Sequence, residues 1–228
     1  MVCCARLVGH SLGRVVSRAG YAYHLFPAMP VNPQSFSLPP QVARTVEAMV
    51  QDWAVTDKIQ RLWGRDASLW TGSDEDRWLG WLDLVEDQTE RQNFFSQLSQ
   101  DIRQEHFTHT LLLGMGGASM CPEVLRSTFM PGPSYPTLRV LDSIDPAQVR
   151  AAEDFLDLRR TLFFISSKSG TTLETSILFD YFFDRVARVL GPAEAGRRFI
   201  AITDPGSSLE ARAHQRALRG GFLGRPDV

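Results

Sequence analysis

Seven consecutive residues, Ser166-Ser167-Lys168-Ser169-Gly170-Thr171-Thr172, carry five hydroxyls and one ammonium. They stand between a short apolar run and a long stretch of helical periodicity, so they fall at a helix start. Free backbone amides and the helix dipole already favour an anion there. A doubly charged phosphate needs several donors at once, and this stretch supplies them. The plain alternative is a hydroxyl-rich cap with a solvated lysine; the density of donors at this place favours phosphate. A second loop, Gly114-Met115-Gly116-Gly117-Ala118-Ser119, also follows an apolar run. Gly114 and Gly116 open like a dinucleotide fingerprint, and Asp142 could stand for its ribose-binding acid. Ser119, however, occupies the place of the third glycine, and the fingerprint leaves the hydroxyl loop unexplained. A more economical reading lets Gly116 and Gly117 bring backbone up to a bound sugar while Ser119 helps hold its phosphate.

Other chemistry-bearing residues have plainer explanations. His106 and His109 lack further ligands at metal spacing and read as structural or surface residues, so no metal is expected. Glu174, in the first turn after the hydroxyl loop, suits the helix dipole. Asp204, in Thr203-Asp204-Pro205-Gly206, reads as a turn or cap residue. Cys121 has no evident partner. Of the 24 basic residues only Lys58 and Lys168 are lysines, which hints that Lys168 is kept for its compact ammonium.

The elements that must position these loops alternate. Apolar runs at Thr110–Leu113, Leu138–Leu141, Thr161–Ile165 and Phe199–Ile202 are each followed by a loop and a helical stretch, and a fifth strand begins near Gly221-Phe222-Leu223. Asp145-Pro146 caps a helix to about Leu158, a longer helix runs from Thr171 to about Val189, and Asp204 to Ser207 cap another to about Leu218. Buried strands alternating with helices predict a parallel sheet covered on both faces. In such sheets ligands sit beyond the carboxyl ends of the strands, where strand order reverses. With a flavodoxin-like order 2-1-3-4-5 the two loops flank one crevice.

Upstream, apolar residues recur at helical spacing from Gln41 to Trp63, Ser73 to Asp76 resemble a capping box, and a third helical stretch runs from Glu90 to Arg103. Trp53, Trp63, Trp70, Trp78 and Trp81 read as packing between helices rather than as a ligand cage. Residues 1–40 carry Arg6, Arg14 and Arg18 but no acid. They read as a disordered leader or as a start placed too early, with Met29 the true start; a transit peptide is the alternative. The expected organisation is therefore a leader over 1–40, a helical region over 41–106 and an α/β domain over 107–228.

Composition excludes several classes. The 228 residues balance 24 basic against 26 acidic side chains, which argues against a nucleic-acid partner. No run approaches the roughly 18 apolar residues of a membrane span. Three cysteines make no disulfide framework and suit a reducing cytoplasm.

Taken together, these residues resemble the sugar isomerase (SIS) domain family, and within it the glucose-6-phosphate isomerases, in the form fused to transaldolase in bifunctional bacterial enzymes. The carrying motifs are the glycine loop, Val140 to Pro146, Ser166 to Glu174 and Ile202 to Ser207; Arg61 to Trp70 adds to them. The resemblance implies aldose–ketose isomerisation of glucose 6-phosphate and fructose 6-phosphate, with no cofactor. It implies that Ser119, Ser167, Lys168, Ser169 and Thr172 hold the substrate phosphate and that Gly116 and Gly117 line the sugar. It also implies a Gly-Gly-Arg motif just after the fifth strand. A glutamate base, a ring-opening histidine and a lysine would follow in a second SIS domain, with a homodimer when complete. The sequence stops at Arg225-Pro226-Asp227-Val228, where Gly-Gly-Arg would come next, and it carries no transaldolase upstream. It therefore reads as the phosphate-binding half, cut off on its C-terminal side and inactive alone. The rival reading is a regulatory module that binds a sugar phosphate without turnover.

Overall fold

The computed structural model describes residues 37–129, 132, 134–225 and 227; of the leader expected over residues 1–40, residues 1–36 lie outside them. Packing divides the chain into two compact units between Thr56 and Asp57. In the first unit, α1 (Pro40–Val55) opens with proline in its first turn, where the missing N–H has no helical partner to lose. Its Val42, Val46, Met49 and Trp53 recur at helical spacing and are exposed.

The second unit begins where the expected helix to Trp63 is interrupted. Asp57 adopts a left-handed φ of 51° and α2 (Lys58–Trp63) starts afresh. The sequence from Ser73 does not cap an α-helix. Glu75 instead turns its carboxylate back to accept from the Thr71 amide at 2.8 Å, the Thr71 hydroxyl and the Ser73 amide at 3.0 Å. Those bonds hold its pKa down at about 2 and leave only 3₁₀ turns at Glu75–Trp78 and Gly80–Leu82. Two helices follow, α3 (Leu84–Glu90) and α4 (Gln92–Gln104). Within this unit the expected packing of tryptophans between helices does not occur: Trp63, Trp70, Trp78 and Trp81 are between 48% and 62% exposed. The pieces from α2 to α3 are too short to enclose large rings, and they bury only Leu79, Gly80 and Leu82.

A five-stranded, all-parallel sheet forms the body of this unit, in the order β2-β1-β3-β4-β5. The strands are β1 (His109–Gly114), β2 (Thr137–Leu141), β3 (Thr161–Ser166), β4 (Phe199–Thr203) and β5 (Gly220–Leu223). The three central strands coincide with apolar runs because a strand buried on both faces needs no polar alternation, while the edge strands β2 and β5 are largely exposed or half-buried. Between them lie α5 (Gly117–Thr128), α6 (Pro146–Phe155), α7 (Leu173–Leu190), α8 (Pro192–Gly196) and α9 (Ser208–Gln215). The Asp145 carboxylate caps α6 by accepting from the amides of Ala147 and Gln148. That helix ends at Phe155 rather than Leu158, because Leu156 is extended. Helix α9 ends at Gln215 rather than near Leu218, and Ala217 has a left-handed φ of 48°.

The larger core lies on the face covered by α6, α7 and α9. Phe163, Phe179, Phe182 and Phe199 are wholly buried there, with Leu111, Leu113 and Ile165 from the strands. Each such side chain contributes about 1.5–3 kcal/mol of burial. On the other face, Leu98 and Ile102 of α4 pack on Phe107, Leu162 and Ile200.

Charge ties the helical pieces to the end of the sheet. Arg65 contacts Asp83 at 2.7 Å and Asp227 at 3.1 Å, while Arg225 contacts Asp83, Asp87 and Asp227. Hydrogen bonding from Arg225 holds the Asp227 carboxyl at about 2, below its ordinary 3.8. A carboxylate depressed on folding stabilises fully above its unfolded pKa, and the contribution fades as pH falls through the folded value. Asp227→Asn is therefore expected to lower Tm near pH 6. Melting both proteins at intervals down to pH 2 should show that gap closing below about pH 4.

Candidate functional site

The register of the two central strands decides where the loops meet. Gly114, the last residue of β1, pairs directly with Ser166, the last residue of β3. The glycine loop and the hydroxyl loop thus leave the sheet side by side, at the point where strand order reverses. A side chain at position 114 would put its Cβ 3.0 Å from the Ser166 carbonyl, so the close approach itself calls for glycine.

In the glycine loop, Gly116 has φ 61° and ψ −127° and stands at the N-cap of α5. Only glycine adopts that backbone without strain. No atom lies within 4 Å of where a Cβ on Gly116 or Gly117 would sit, so the backbone there faces open space. Ser119 is buried, 1% exposed, and its hydroxyl donates to the Gly116 carbonyl at 3.0 Å.

The hydroxyl loop folds on itself around Gly170. The Ser167 and Thr172 hydroxyls are 3.1 Å apart, and those of Ser169 and Thr171 are 2.9 Å apart. In each pair only one hydroxyl can donate to the other, so one O–H per pair stays free for an incoming acceptor. Thr172 is the N-cap of α7 but makes no side-chain cap bond. The opening amides of this 18-residue helix are therefore not capped by their own threonine, and the dipole adds positive potential. Gly170 has φ +68°, and its carbonyl accepts from the Ser208 hydroxyl at 2.6 Å. The Ser167 amide donates to Ile202 on β4. The loop is thus seated on β4 and on the start of α9.

The structure brings Ser167, Ser169 and Thr172 into one loop, with Gly116, Gly117 and Ser119 at the adjacent strand end. Lys168 is turned elsewhere: its ammonium lies 3.0 Å from Asp204 Oδ2. Asp204 is the residue that sequence reasoning assigned only to a turn; its one signal was the rarity of lysine. Ser208 escaped notice because it stands 38 residues from its partner Gly170. Glu174 and Asp142 are exposed, and His109 packs its ring edge-on to Phe155 at the opposite end of β1. Among the described residues no three of His, Cys, Asp or Glu are placed to hold a metal ion, and no helix is long and apolar enough to cross a membrane.

A five-stranded parallel sheet in this order, with helices on both faces and its two central loops at the switch point, defines a flavodoxin-like α/β domain. Comparison with known proteins narrows it. The pattern described as phosphoglucose isomerase matches residues 92–208, about half of the sequence, and the chain belongs to that family. It is 30% identical over 142 residues to a glucose-6-phosphate isomerase of Thermus thermophilus, covering 62% of this chain and 33% of the relative. A glucose-6-phosphate isomerase of Staphylococcus haemolyticus is 29% identical over 141 residues, covering 59% and 31% respectively. The chain thus spans about a third of the length of these curated relatives. Among solved structures, a hypothetical protein from Thermus thermophilus superposes with a TM-score of 0.62 at 25% identity, over 80% of this chain and 41% of that one. A glucose-6-phosphate isomerase from Chlamydia trachomatis shares the fold at a TM-score of 0.50 and 23% identity, over 58% of this chain and 25% of that one.

Two glycines separate folding from ligand approach. A Cβ on Gly170 would sit 2.8 Å from Ser207 Cβ and 2.9 Å from the Leu209 nitrogen, at a φ that side chains avoid. Gly170→Ala should cost about 1–3 kcal/mol in denaturant unfolding. Gly117→Ala, whose methyl meets nothing, should unfold within about 0.5 kcal/mol of the parent.

Proposed function

We propose that the crevice between β1 and β3 holds the phosphate of a sugar phosphate. On this reading residues 107–228 form an SIS domain, the phosphate-binding half of an isomerase of glucose 6-phosphate and fructose 6-phosphate. The observation that carries the proposal is the pairing of Gly114 with Ser166. It sets open glycine backbone beside a cluster of hydroxyls at a helix start. Membership of the phosphoglucose isomerase family and relatives named glucose-6-phosphate isomerase support the choice of substrate. Ser169 and Thr172 donate to the phosphate through the O–H that each pair leaves free, with Thr171 and Ser167 donating to them in turn, and the first amides of α7 add to these. The buried Ser119 hydroxyl stays on the Gly116 carbonyl and holds the glycine loop. Gly116 and Gly117 let the sugar lie against backbone.

Isomerisation opens the ring, then moves a proton between C2 and C1 through an enediol, by general acid–base catalysis. The base must reach the carbon acid directly or through one water. Of the carboxylates near the strand ends, Asp204 is engaged by Lys168, Glu174 sits in the first turn of α7 and Asp142 follows β2. The family resemblance assigns the base, the ring-opening histidine and a lysine to a second SIS domain, and assembly to a homodimer. The balanced charge and the three cysteines fit a protein of the cytoplasm.

Calorimetric titration should show binding of fructose 6-phosphate and none of fructose, since the phosphate supplies the recognition. Ser169→Ala and Thr172→Val should each weaken it by about 1.5–3 kcal/mol, the range for hydrogen bonds to a charged group. Equal heats with the two sugars would mark the loop as a helix cap.

Turnover is a separate matter. A coupled assay on the 228-residue protein should give no isomerisation above background, because proton transfer by a positioned base is worth about 10²–10⁴-fold. Activity that disappears in Glu174→Gln would instead put the base on α7.

A further inference from the structure

The ammonium of Lys168 does not point at the hydroxyls beside it. It lies 3.0 Å from Asp204 Oδ2 and 6.0 Å from the ring centre of Trp78, whose face attracts a cation. The two residues are also joined through backbone. The Asp204 amide donates to the Lys168 carbonyl at 3.0 Å, and the Thr203 hydroxyl donates to that carbonyl at 3.3 Å. Asp204 is three-quarters covered, with its side chain 23% exposed against 54% for Lys168. On its far side it meets Gly224, where a Cβ would fall 2.7 Å from Oδ1. The carboxylate is thus fixed just beyond the end of β4, the strand that pairs with β3 and whose backbone runs about 4.8 Å from it.

That position is awkward for a site that takes a dianion. An uncompensated carboxylate so close would repel the phosphate and oppose the potential that α7 and the hydroxyls provide. Resting on the phosphate reading given above, we propose that Lys168 is a positioning residue. Its ammonium neutralises and holds Asp204, while hydroxyls and backbone amides take the phosphate. This differs from the role that sequence resemblance gives Lys168, in which the ammonium itself holds the phosphate.

The two roles separate in a double variant. Affinity for fructose 6-phosphate is measured by calorimetry on the whole chain for the parent, Lys168→Met, Asp204→Asn, the two together, and Ser169→Ala. If Lys168 acts by neutralising Asp204, Lys168→Met exposes one negative charge and weakens binding about tenfold. Removing Asp204 as well then restores affinity to within about threefold of the parent, because neither charge is left. If the double variant stays as weak as Lys168→Met, the ammonium touches phosphate directly and the proposal is overturned. It is overturned equally if Lys168→Met binds like the parent. Ser169→Ala tests the underlying reading by itself: unchanged affinity there removes the phosphate site and this role with it. Weak Ser169→Ala binding with no rescue in the double variant rejects only the role of Lys168. Circular dichroism melts confirm folding, and Asp204→Ser replaces Asp204→Asn if the first double variant does not fold.

Discussion

The pairing of β1 with β3 is the constraint from which the site follows. Two parallel strands cannot be joined by a tight turn, so the chain must leave their carboxyl ends in loops that climb into helices. Because β2 lies on the outer side of β1, the crossovers after β1 and β3 run in opposite directions and leave a gap between them. Gly114 beside Ser166 is where that gap opens. The proposed phosphate site falls there because topology frees backbone amides at this place.

The large core makes the arrangement stiff. Phe163, Phe182 and Phe199 bring the middle strands against α7. The helix whose start carries the hydroxyl loop therefore cannot shift without disturbing stacked rings. Arg212 and Arg216 share Asp180 and lie over Phe179, with Arg216 also over Phe183, closing the outer side between α7 and α9. The loop is consequently held by β3 before it, by α7 after it, and beside it by Ile202 and Thr203 of β4, by Asp204 and by Ser208 of α9.

What the sequence disclosed depended on the range of the interactions. The strands were legible because burial on both faces writes itself as an uninterrupted apolar run, as in Thr161–Ser166. The cap of α6 was legible because Asp145 and its partners lie within three residues. The region from Asp57 to Glu90 was not, since its form depends on a left-handed Asp57 and on Glu75 folding back to Thr71. Those choices look like ordinary helix signals in one dimension. The half-exposed tryptophans misled for a related reason, as size predicts burial only where enough structure exists to surround a ring. Of the site, the loops and their hydroxyls could be read directly. The bond from Lys168 to Asp204 spans 36 residues and exists only because β3 and β4 are neighbours.

The same parallel pairing also sets an order in time. As the chain is synthesised, β1 emerges first and meets β2, but its other partner β3 arrives only about fifty residues later. Until then one edge of β1, with its apolar Leu111, Leu112 and Leu113, is bare, and the glycine loop has nothing beside it. Non-local pairings of this kind are slow to form and leave hydrophobic edges open to wrong partners meanwhile. The two loops cannot meet until β3 is present, and the seat of the hydroxyl loop on β4 and α9 comes later still. Any delay in the appearance of β3 lengthens the interval in which this chain is most exposed to aggregation.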